Sequence, residues 1–291
     1  MPELPEVETV RRGLEKLIVE RCVESVTCID SPKSFPNVPS EVKRFLVGAK
    51  VIAVRRRAKV LMIDLSSGYT LVTHLKMTGQ LVFVGEQRFG AGHPNDSLVA
   101  RLPDKSTRVA LVFLGESHLY FNDLRKFGWM KLLPTAEVAN LAFMQKVGPE
   151  PLENSFTGDV LYERLQRRKN TTIKAALLDQ TVLAGVGNIY ADESLWAVKL
   201  HPATLVKNVP KASVKKLAIA IKAVMNLSIE KGGSTDKNYV NAEGKKGSYL
   251  SFANVFRREG QPCPRCGSTI NKIRVASRGT HICYSCQIID K

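Results

Sequence analysis

The first residues of the chain carry the chemistry. Met1-Pro2-Glu3-Leu4-Pro5-Glu6 becomes, once Met1 is removed, a secondary amine on a rigid ring with the carboxylates of Glu3 and Glu6 close behind it. Such an amine can attack an aldehyde-like carbon and form an imine, while carboxylates move protons around it. An α-amino group of pKa roughly 7.7 to 8.0 is about 15% neutral at pH 7, against roughly 0.04% for a lysine near 10.4, so the N-terminus is the better nucleophile. Val7, Val10, Leu14 and Leu17 recur at helical spacing. The amine therefore lies near the positive end of a helix, which disfavours its protonation. The same residues also make an ordinary helix start, with proline in the first turn and acids complementing the dipole. A retained Met1 would lock the nitrogen in an amide, so the chemistry requires its removal.

A second constellation closes the chain. Cys263, Cys266, Cys283 and Cys286 form C-x2-C, sixteen residues, C-x2-C. At this spacing four thiolates can surround one tetrahedral zinc ion. The alternative is a pair of disulfides, disfavoured in a reducing cytosol. His281 offers a substitute ligand beside Cys283. Cys22 and Cys28 lie in an apolar, β-like stretch and read as buried thiols.

Lys+Arg 43 against Asp+Glu 27 gives the 291-residue chain a net charge of +16. Such an excess points to a polyanion, either nucleic acid or an acidic membrane surface, and nucleic acid is favoured. No apolar run reaches the roughly 18 residues of a spanning helix, and the N-terminus is too acidic for a signal peptide. The expectation is a cytoplasmic protein.

These groups need elements to position them. Short β-like runs at 51–54, 60–65, 69–75, 81–84, 98–102, 109–113, 119–122 and 129–133 suggest a β-sandwich, with 85–97 as a long surface loop. Met77 and Phe127, by pattern alone, read as core residues of strands. Gly148-Pro149-Glu150-Pro151 reads as a stiff linker, after which the pattern turns helical. Residues 207–231 form an amphipathic run with Leu217, Ile219, Ile221, Val224, Met225 and Ile229 inside. Residues 232–250, with Lys237, Lys245 and Lys246, read as a mobile loop. Helices at 172–178 and 189–198 flank Gly185-Val186-Gly187-Asn188, where Asn188 can cap the second helix. A helix N-terminus exposed this way binds a phosphate, with Arg168, Lys169 and Lys174 nearby. A hairpin that only packs is the alternative, but the net charge favours phosphate. In the cysteine segment, Ile273, Val275 and Ile282 suit a hairpin whose Ser277-Arg278-Gly279 turn exposes Arg278. The fold class is α+β: an N-terminal β-sandwich with flanking helices, a helical domain and a four-cysteine finger. Boundaries are expected at 1–133, 134–152 (linker), 153–250 and 251–291.

Several motifs, taken in order, carry a resemblance. They are the stretch from Met1 to Leu14, Arg57-Ala58-Lys59, His74-Leu75-Lys76-Met77-Thr78-Gly79, Asp123-Leu124-Arg125-Lys126-Phe127-Gly128, Gly148-Pro149-Glu150-Pro151-Leu152, the segment from Gly185 to Tyr190 and the cysteine ribbon. Together they resemble bacterial formamidopyrimidine-DNA glycosylase over nearly the whole chain. The resemblance implies a monomeric, bifunctional base-excision enzyme with one zinc ion and a helix-two-turns-helix domain. Such an enzyme acts on double-stranded DNA carrying oxidised purines or abasic sites, then cuts the strand by β,δ-elimination. By resemblance Pro2 is the nucleophile, Glu3 the proton donor that opens the sugar, and Glu6 a support for the catalytic geometry. Lys59 serves phosphate contact and β-elimination, and Arg278 serves phosphate contact and the second elimination. Extrusion of the damaged base costs a few kcal/mol; Met77, Arg125 and Phe127 would fill the vacated stack. His74, Lys169, Lys174 and Asn188 complete the implied DNA contacts.

The chain also departs from the family pattern. Lys105-Ser106-Thr107-Arg108 stands where a histidine is usual, and Arg108 can supply the DNA contact instead. The insertion at 81–105 is longer than in common members. Gly232-Gly233-Ser234-Thr235-Asp236 and Val255-Phe256-Arg257-Arg258 differ in the region thought to cover the everted base. An endonuclease VIII-like preference for oxidised pyrimidines is the nearest rival, and the Glu3-Leu4-Pro5-Glu6 wording argues against it. A non-catalytic DNA binder, which would have no need of Pro2, is the rival from another class.

Overall fold

The computed structural model describes residues 2–29, 32–93, 95–233 and 249–289. Met1 and residues 234–248, which include Ser234, Thr235, Asp236, Lys237, Lys245 and Lys246, lie outside the described residues. The chain divides into two compact units, Met1–Gln145 with Lys231–Ser248, and Lys146–Glu230 with Tyr249–Lys291.

The first unit is a sandwich of two antiparallel sheets. Helix α1 (Leu4–Ile18) leads into β1 (Val23–Cys28) and α2 (Pro39–Phe45). Strands β2 (Val51–Arg57), β3 (Val60–Leu65), β4 (Tyr69–His74), β5 (Gly79–Val84) and β6 (Arg88–Gly92) follow, then β7 (Thr107–Phe113), β8 (Ser117–Asp123) and β9 (Trp129–Pro134), with a short α3 (Ala142–Lys146) behind them. One sheet has the order β1-β7-β8-β5-β6 and the other β2-β3-β4-β9. Val7, Val10, Leu14 and Leu17 are buried with Leu61, Ile63, Leu81, Phe83, Val109 and Phe121 in one core. A second layer covers the outer face of β3, where Val60 and Met62 pack with Val72 and Val138. That strand is buried on both faces, so its sequence reads as a nearly continuous apolar run, interrupted by Asp64, which pairs with Arg55, rather than as an alternation.

Two strand expectations change. Residues 85–97 contain β6, which pairs with β5. The glycine-rich wording of β6 reflects close packing: a Cβ on Gly92 would meet the Gly79 carbonyl oxygen at 2.4 Å. Likewise a Cβ on Gly13 of α1 would strike the Phe89 ring at 2.2 Å. Residues 98–102 form no strand; Leu98 ends a 3-10 turn and covers the outer face of the five-stranded sheet beside Val82, Ala110 and Tyr120. Cys28 is exposed and Cys22 half-buried, rather than both being enclosed. Helix α1 packs on β2 and β6, one edge strand from each sheet. It thereby covers edges that would otherwise present unpaired backbone groups.

The second unit comprises α4 (Gly158–Gln166), α5 (Ile173–Leu178), α6 (Asn188–Ala197), α7 (Lys211–Glu230), α8 (Tyr249–Phe252) and the hairpin β10 (Asn271–Val275) and β11 (Arg278–Ile282). Gly148 is tied down here: its N–H donates to the Gln180 carbonyl at 2.8 Å, and a Cβ would meet Val182 backbone at 2.7 Å. On α7, Leu217, Ile221, Met225 and Ile229 are buried as expected, but Ile219 is 70% exposed. Val214 and Ala218 lie on the same face as those buried residues and complete the inward stripe.

Candidate active site

In the first unit Pro2 is buried and stands immediately before the capping residue of α1. Glu3 and Glu6 form a reciprocal capping box: the Glu3 side chain accepts from the Glu6 N–H, and Glu6 Oε2 accepts from the Glu3 N–H at 2.8 Å. The bland helix-start reading and the chemical one therefore share the same atoms. Both carboxylates are nearly enclosed, Glu3 at 5% and Glu6 at 6% exposure. A Cβ on Gly233, which holds φ +94°, would lie 3.5 Å from Glu6 Cγ, so this glycine lets the backbone pass close to the helix start.

Sheet register assembles the neighbouring groups. Across the four-stranded sheet Arg57 pairs with Val60, Val60 with His74, and His74 with Trp129. In the other sheet Gly79 pairs with Asp123. The turn carrying Lys59, the loop carrying Met77 and the loop carrying Arg125 and Phe127 therefore leave the sandwich at one end. Met77 and Phe127 are not core residues: they are 39% and 54% exposed, and the Arg125 guanidinium lies 5.0 Å over the Phe127 ring. Left-handed residues aim these projections. Ala58 (φ 51°), Lys76 (φ 49°) and Lys126 (φ 57°) directly precede Lys59, Met77 and Phe127. Each costs on the order of 1–2 kcal/mol in a non-glycine residue and persists because its surroundings hold it.

Asp123, the first residue of its motif, has a role that motif reading did not assign. Fully buried, it accepts from the Thr78 hydroxyl, from Arg125 N–H at 3.2 Å and from Gly128 N–H at 2.5 Å. One carboxylate thus ties the Met77 loop to the Arg125–Phe127 loop. The available signal was an acid at the end of an apolar strand with glycine five positions on. Arg108 requires correction. It is 2% exposed, and its guanidinium donates to the carbonyls of Asp123 (2.9 Å) and Lys105 (3.0 Å), so it braces this loop instead of facing a ligand. Ser106 also turns inward, to Asp104 at 2.7 Å.

His74 accepts the Lys76 N–H at Nδ1, 3.0 Å away. The neutral ring then carries its proton on Nε2, a donor suited to an anionic oxygen. Loss of water contact, followed by the Lys76 and Lys59 charges, pushes this imidazole down to about 3. The unfolded chain therefore binds more protons between about pH 6.5 and 3, so the stabilisation is complete above that window and is lost as pH falls through it. In melting curves from pH 7 to 4, His74→Gln should lose less Tm on acidification than the wild type. Parallel curves would exclude His74 as the source.

In the second unit the Lys174 expectation is corrected. Lys174 is fully buried; its ammonium donates to Asp192 Oδ1 (2.6 Å), Thr280 Oγ1 (2.7 Å) and the Gly279 carbonyl (3.2 Å). Asn188 is the first residue of α6 and Gly187 its cap, so Asn188 does not cap the helix. Its Nδ2 donates to the same Gly279 carbonyl at 2.9 Å. Asp192 also accepts the His281 N–H at 2.9 Å, and His281 Nδ1 lies 3.4 Å from it. These side chains anchor β11 beside Arg278, which is exposed at the start of that strand. The hairpin turn is Ala276-Ser277, both left-handed at φ 51° and 59°, the geometry of a two-residue turn. Lys169 is exposed. The buried Glu193 was also missed: it accepts from the N–H groups of Asn254, Val255 and Phe256, each at 2.8 Å. A carboxylate within an apolar helix was its sequence signal.

The sulfurs of Cys263, Cys266, Cys283 and Cys286 all lie within 4.8 Å of one another. Separations of 3.4, 3.5 and 3.9 Å rule out disulfides, whose S–S length is about 2.05 Å. They fit a tetrahedron about a metal with bonds near 2.3 Å, whose edge is about 3.8 Å. Among the described residues, His281 is not part of this metal-capable group. Arg265 lies 4.0 Å over the Trp196 ring and donates to the Trp196 carbonyl at 3.0 Å, docking the cysteine knuckle on α6.

Residues 1–130 match the formamidopyrimidine-DNA glycosylase N-terminal domain, 147–239 the formamidopyrimidine-DNA glycosylase H2TH domain, and 260–288 the zinc finger found in FPG and IleRS. A formamidopyrimidine-DNA glycosylase from Herpetosiphon aurantiacus is 43% identical over 288 residues, 99% of this chain and 100% of that protein. The chain belongs to the formamidopyrimidine-DNA glycosylase family. A relative of the same name from Lactobacillus acidophilus is 39% identical over the full length of both chains. Among solved structures, Lactococcus lactis Fpg in complex with abasic-site DNA is similar at TM-score 0.86 and 33% identity, covering 99% of this chain and 100% of that one. The wild-type Lactococcus protein with oxidised-pyrimidine DNA matches at TM-score 0.85 and 33% identity, with the same coverage. No helix among the described residues is long and apolar enough to cross a membrane.

Proposed function

We propose that this chain is a cytoplasmic, bifunctional DNA glycosylase and abasic-site lyase that excises oxidised purines from duplex DNA. The observation that carries the reading is the buried Pro2-Glu3-Glu6 helix start in a sandwich whose register gathers Lys59, His74 and the Met77, Arg125 and Phe127 loops at one end. The Pro2 nitrogen attacks C1′ of the damaged nucleotide; the C1′–N bond breaks and the base leaves with a proton. Glu3 supplies the proton that opens the sugar, giving an iminium, and Glu6 fixes the helix start. The iminium is an electron sink, so a C2′ proton becomes acidic and passes to a base at the site. The 3′ phosphate leaves in β-elimination, assisted by Lys59; the 5′ phosphate leaves in the δ step, assisted by Arg278. Met77, Arg125 and Phe127 fill the vacated stack. The four cysteines would hold zinc, whose contribution is to fold the hairpin that presents Arg278.

With Lys174 committed to Asp192, three cationic phosphate contacts remain, Lys59, Lys169 and Arg278. Counterion release then gives a log–log salt slope of about −2.7, at about −0.9 per contact. Affinity titrations across salt concentrations check this; a slope near −3.6 would restore a fourth contact.

Borohydride trapping on a duplex containing 8-oxoguanine opposite cytosine, with peptide mapping, tests the function. A covalent adduct on Pro2 is the expected result. An adduct with abasic DNA alone would keep the lyase and move the lesion preference. No adduct with either, in protein shown to begin at Pro2, would favour a non-catalytic binder. The complex of the Lactococcus relative with oxidised-pyrimidine DNA supports including thymine glycol as a second lesion.

A further inference from the structure

The helix that presents Pro2 and the turn that carries Lys59 are joined through one buried carboxylate. Glu8, 8% exposed, accepts from Arg11 Nε at 3.0 Å, Arg12 Nε at 2.9 Å and Arg56 Nε at 3.0 Å. Arg11 and Arg12 belong to the same helix, at i+3 and i+4, and are the ordinary companions of a helical glutamate. Arg56 differs. It comes from β2, its side chain is only 9% exposed, and a second nitrogen, NH1, donates to the Ala58 carbonyl at 2.9 Å. Ala58 holds the left-handed φ of 51° directly before Lys59. A continuous path therefore runs from α1 through a carboxylate and a guanidinium to the peptide that aims Lys59.

The chemistry of this path is specific. Burial alone raises the Glu8 carboxyl, but hydrogen bonds and charge from Arg11, Arg12 and Arg56 outweigh it and hold the group below the ordinary carboxylate range. A guanidinium can address a carboxylate and a carbonyl together through its rigid fork, whereas an ammonium is a single point charge. The helix alone would be served by Arg11 and Arg12; the shared fork of Arg56 adds a constraint on the turn.

We propose that Glu8 and Arg56 are positioning residues for Lys59, fixing its turn against the helix that carries the nucleophile. The inference rests on the reading of Lys59 as a participant in strand cleavage. Neither residue touches the reacting atoms; both act through the Ala58–Lys59 peptide.

The test uses the full-length, zinc-loaded protein and abasic duplex DNA, with Glu8→Gln, Arg56→Lys and Lys59→Ala. Arg56→Lys retains the charge opposite Glu8 and keeps the test available should Glu8→Gln fail to fold. For the folded variants, kcat for strand cleavage should fall ~10–100-fold, a partial loss of the ~10²–10⁴-fold that a well-placed proton-transfer group contributes. The single-turnover rate of borohydride trapping on Pro2 at saturating DNA should stay within about threefold, because imine formation precedes the elimination that Lys59 serves. In the Lys59→Ala background, Arg56→Lys should add less than about a twofold further loss, the non-additivity expected of residues acting through one group. Wild-type kcat in a folded Arg56→Lys protein would overturn the proposal, as would a full multiplicative loss in the double variant. If Lys59→Ala itself cleaves normally, the reading of Lys59 falls first and the positioning role with it.

Discussion

Replacing Pro2 with alanine is expected to lower base excision and strand cleavage by on the order of 100-fold or more, a fraction of what fixed orientation of a reacting group can contribute, while DNA binding stays near wild type. The variant keeps an α-amine, so the loss reports on the proline ring itself. A secondary amine condenses to an iminium with no N–H to lose, so the electron sink is cationic at every pH. A primary amine gives an imine that must be protonated to do the same work. The ring also sits buried at the head of α1, where an unconstrained alanine gains rotational freedom about the nucleophilic nitrogen and loses the advantage of fixed orientation. Single-turnover cleavage of 8-oxoguanine and abasic duplexes, with anisotropy titrations of the same DNA, separates the effects. Unchanged cleavage would remove the proline from the mechanism.

Cys263→Ser is expected to release the metal and weaken DNA binding by two orders of magnitude or more. The cysteine segment has only a small apolar core of its own. Its buried cluster consists of Trp196, Val255, Cys263, Ile270 and Cys283, so two of its members belong to the metal-capable quartet itself. A two-stranded hairpin is marginal in water, whereas a structural zinc site supplies about 10–16 kcal/mol of folding free energy. Losing the hairpin also removes Thr280 and the Gly279 carbonyl from Lys174, leaving its pair with Asp192 partly unsatisfied. Zinc content by a chromophoric chelator and affinity by anisotropy would be measured on the same sample. A metal-free protein with wild-type affinity would show that the hairpin stands without its ion.

Much of this was legible along the chain because the signal was local. The α1 stripe of Val7, Val10, Leu14 and Leu17 is a periodicity, and the cysteine quartet is a spacing; both survive without knowledge of the rest of the molecule. The misreadings came from partners far away in sequence. Arg-Phe-Gly-Ala-Gly at 88–92 has loop wording, yet it is a strand because Gly13 leaves room for Phe89 and Gly92 passes close to the Gly79 carbonyl. Lys174 and Arg108 have the composition of phosphate ligands, but Asp192, Thr280 and the Asp123 and Lys105 carbonyls occupy their donors. Met77 and Phe127 have core chemistry, and only the register places them on loops leaving the sandwich. Glu8 and Asp123 escaped for the same reason: Arg56 lies 48 residues from the first and Thr78 45 from the second.

The packing of α1 on one edge strand of each sheet sets an order of events during synthesis. The surfaces on which this helix docks, β2 and β6, end at Arg57 and Gly92, so the helix leaves the ribosome long before its seat exists. In the finished sandwich Pro2 is buried at the head of that helix, whereas in the nascent chain its surroundings are still open. Exposure of the nucleophilic nitrogen and docking of the helix thus compete for the same stretch of time during synthesis.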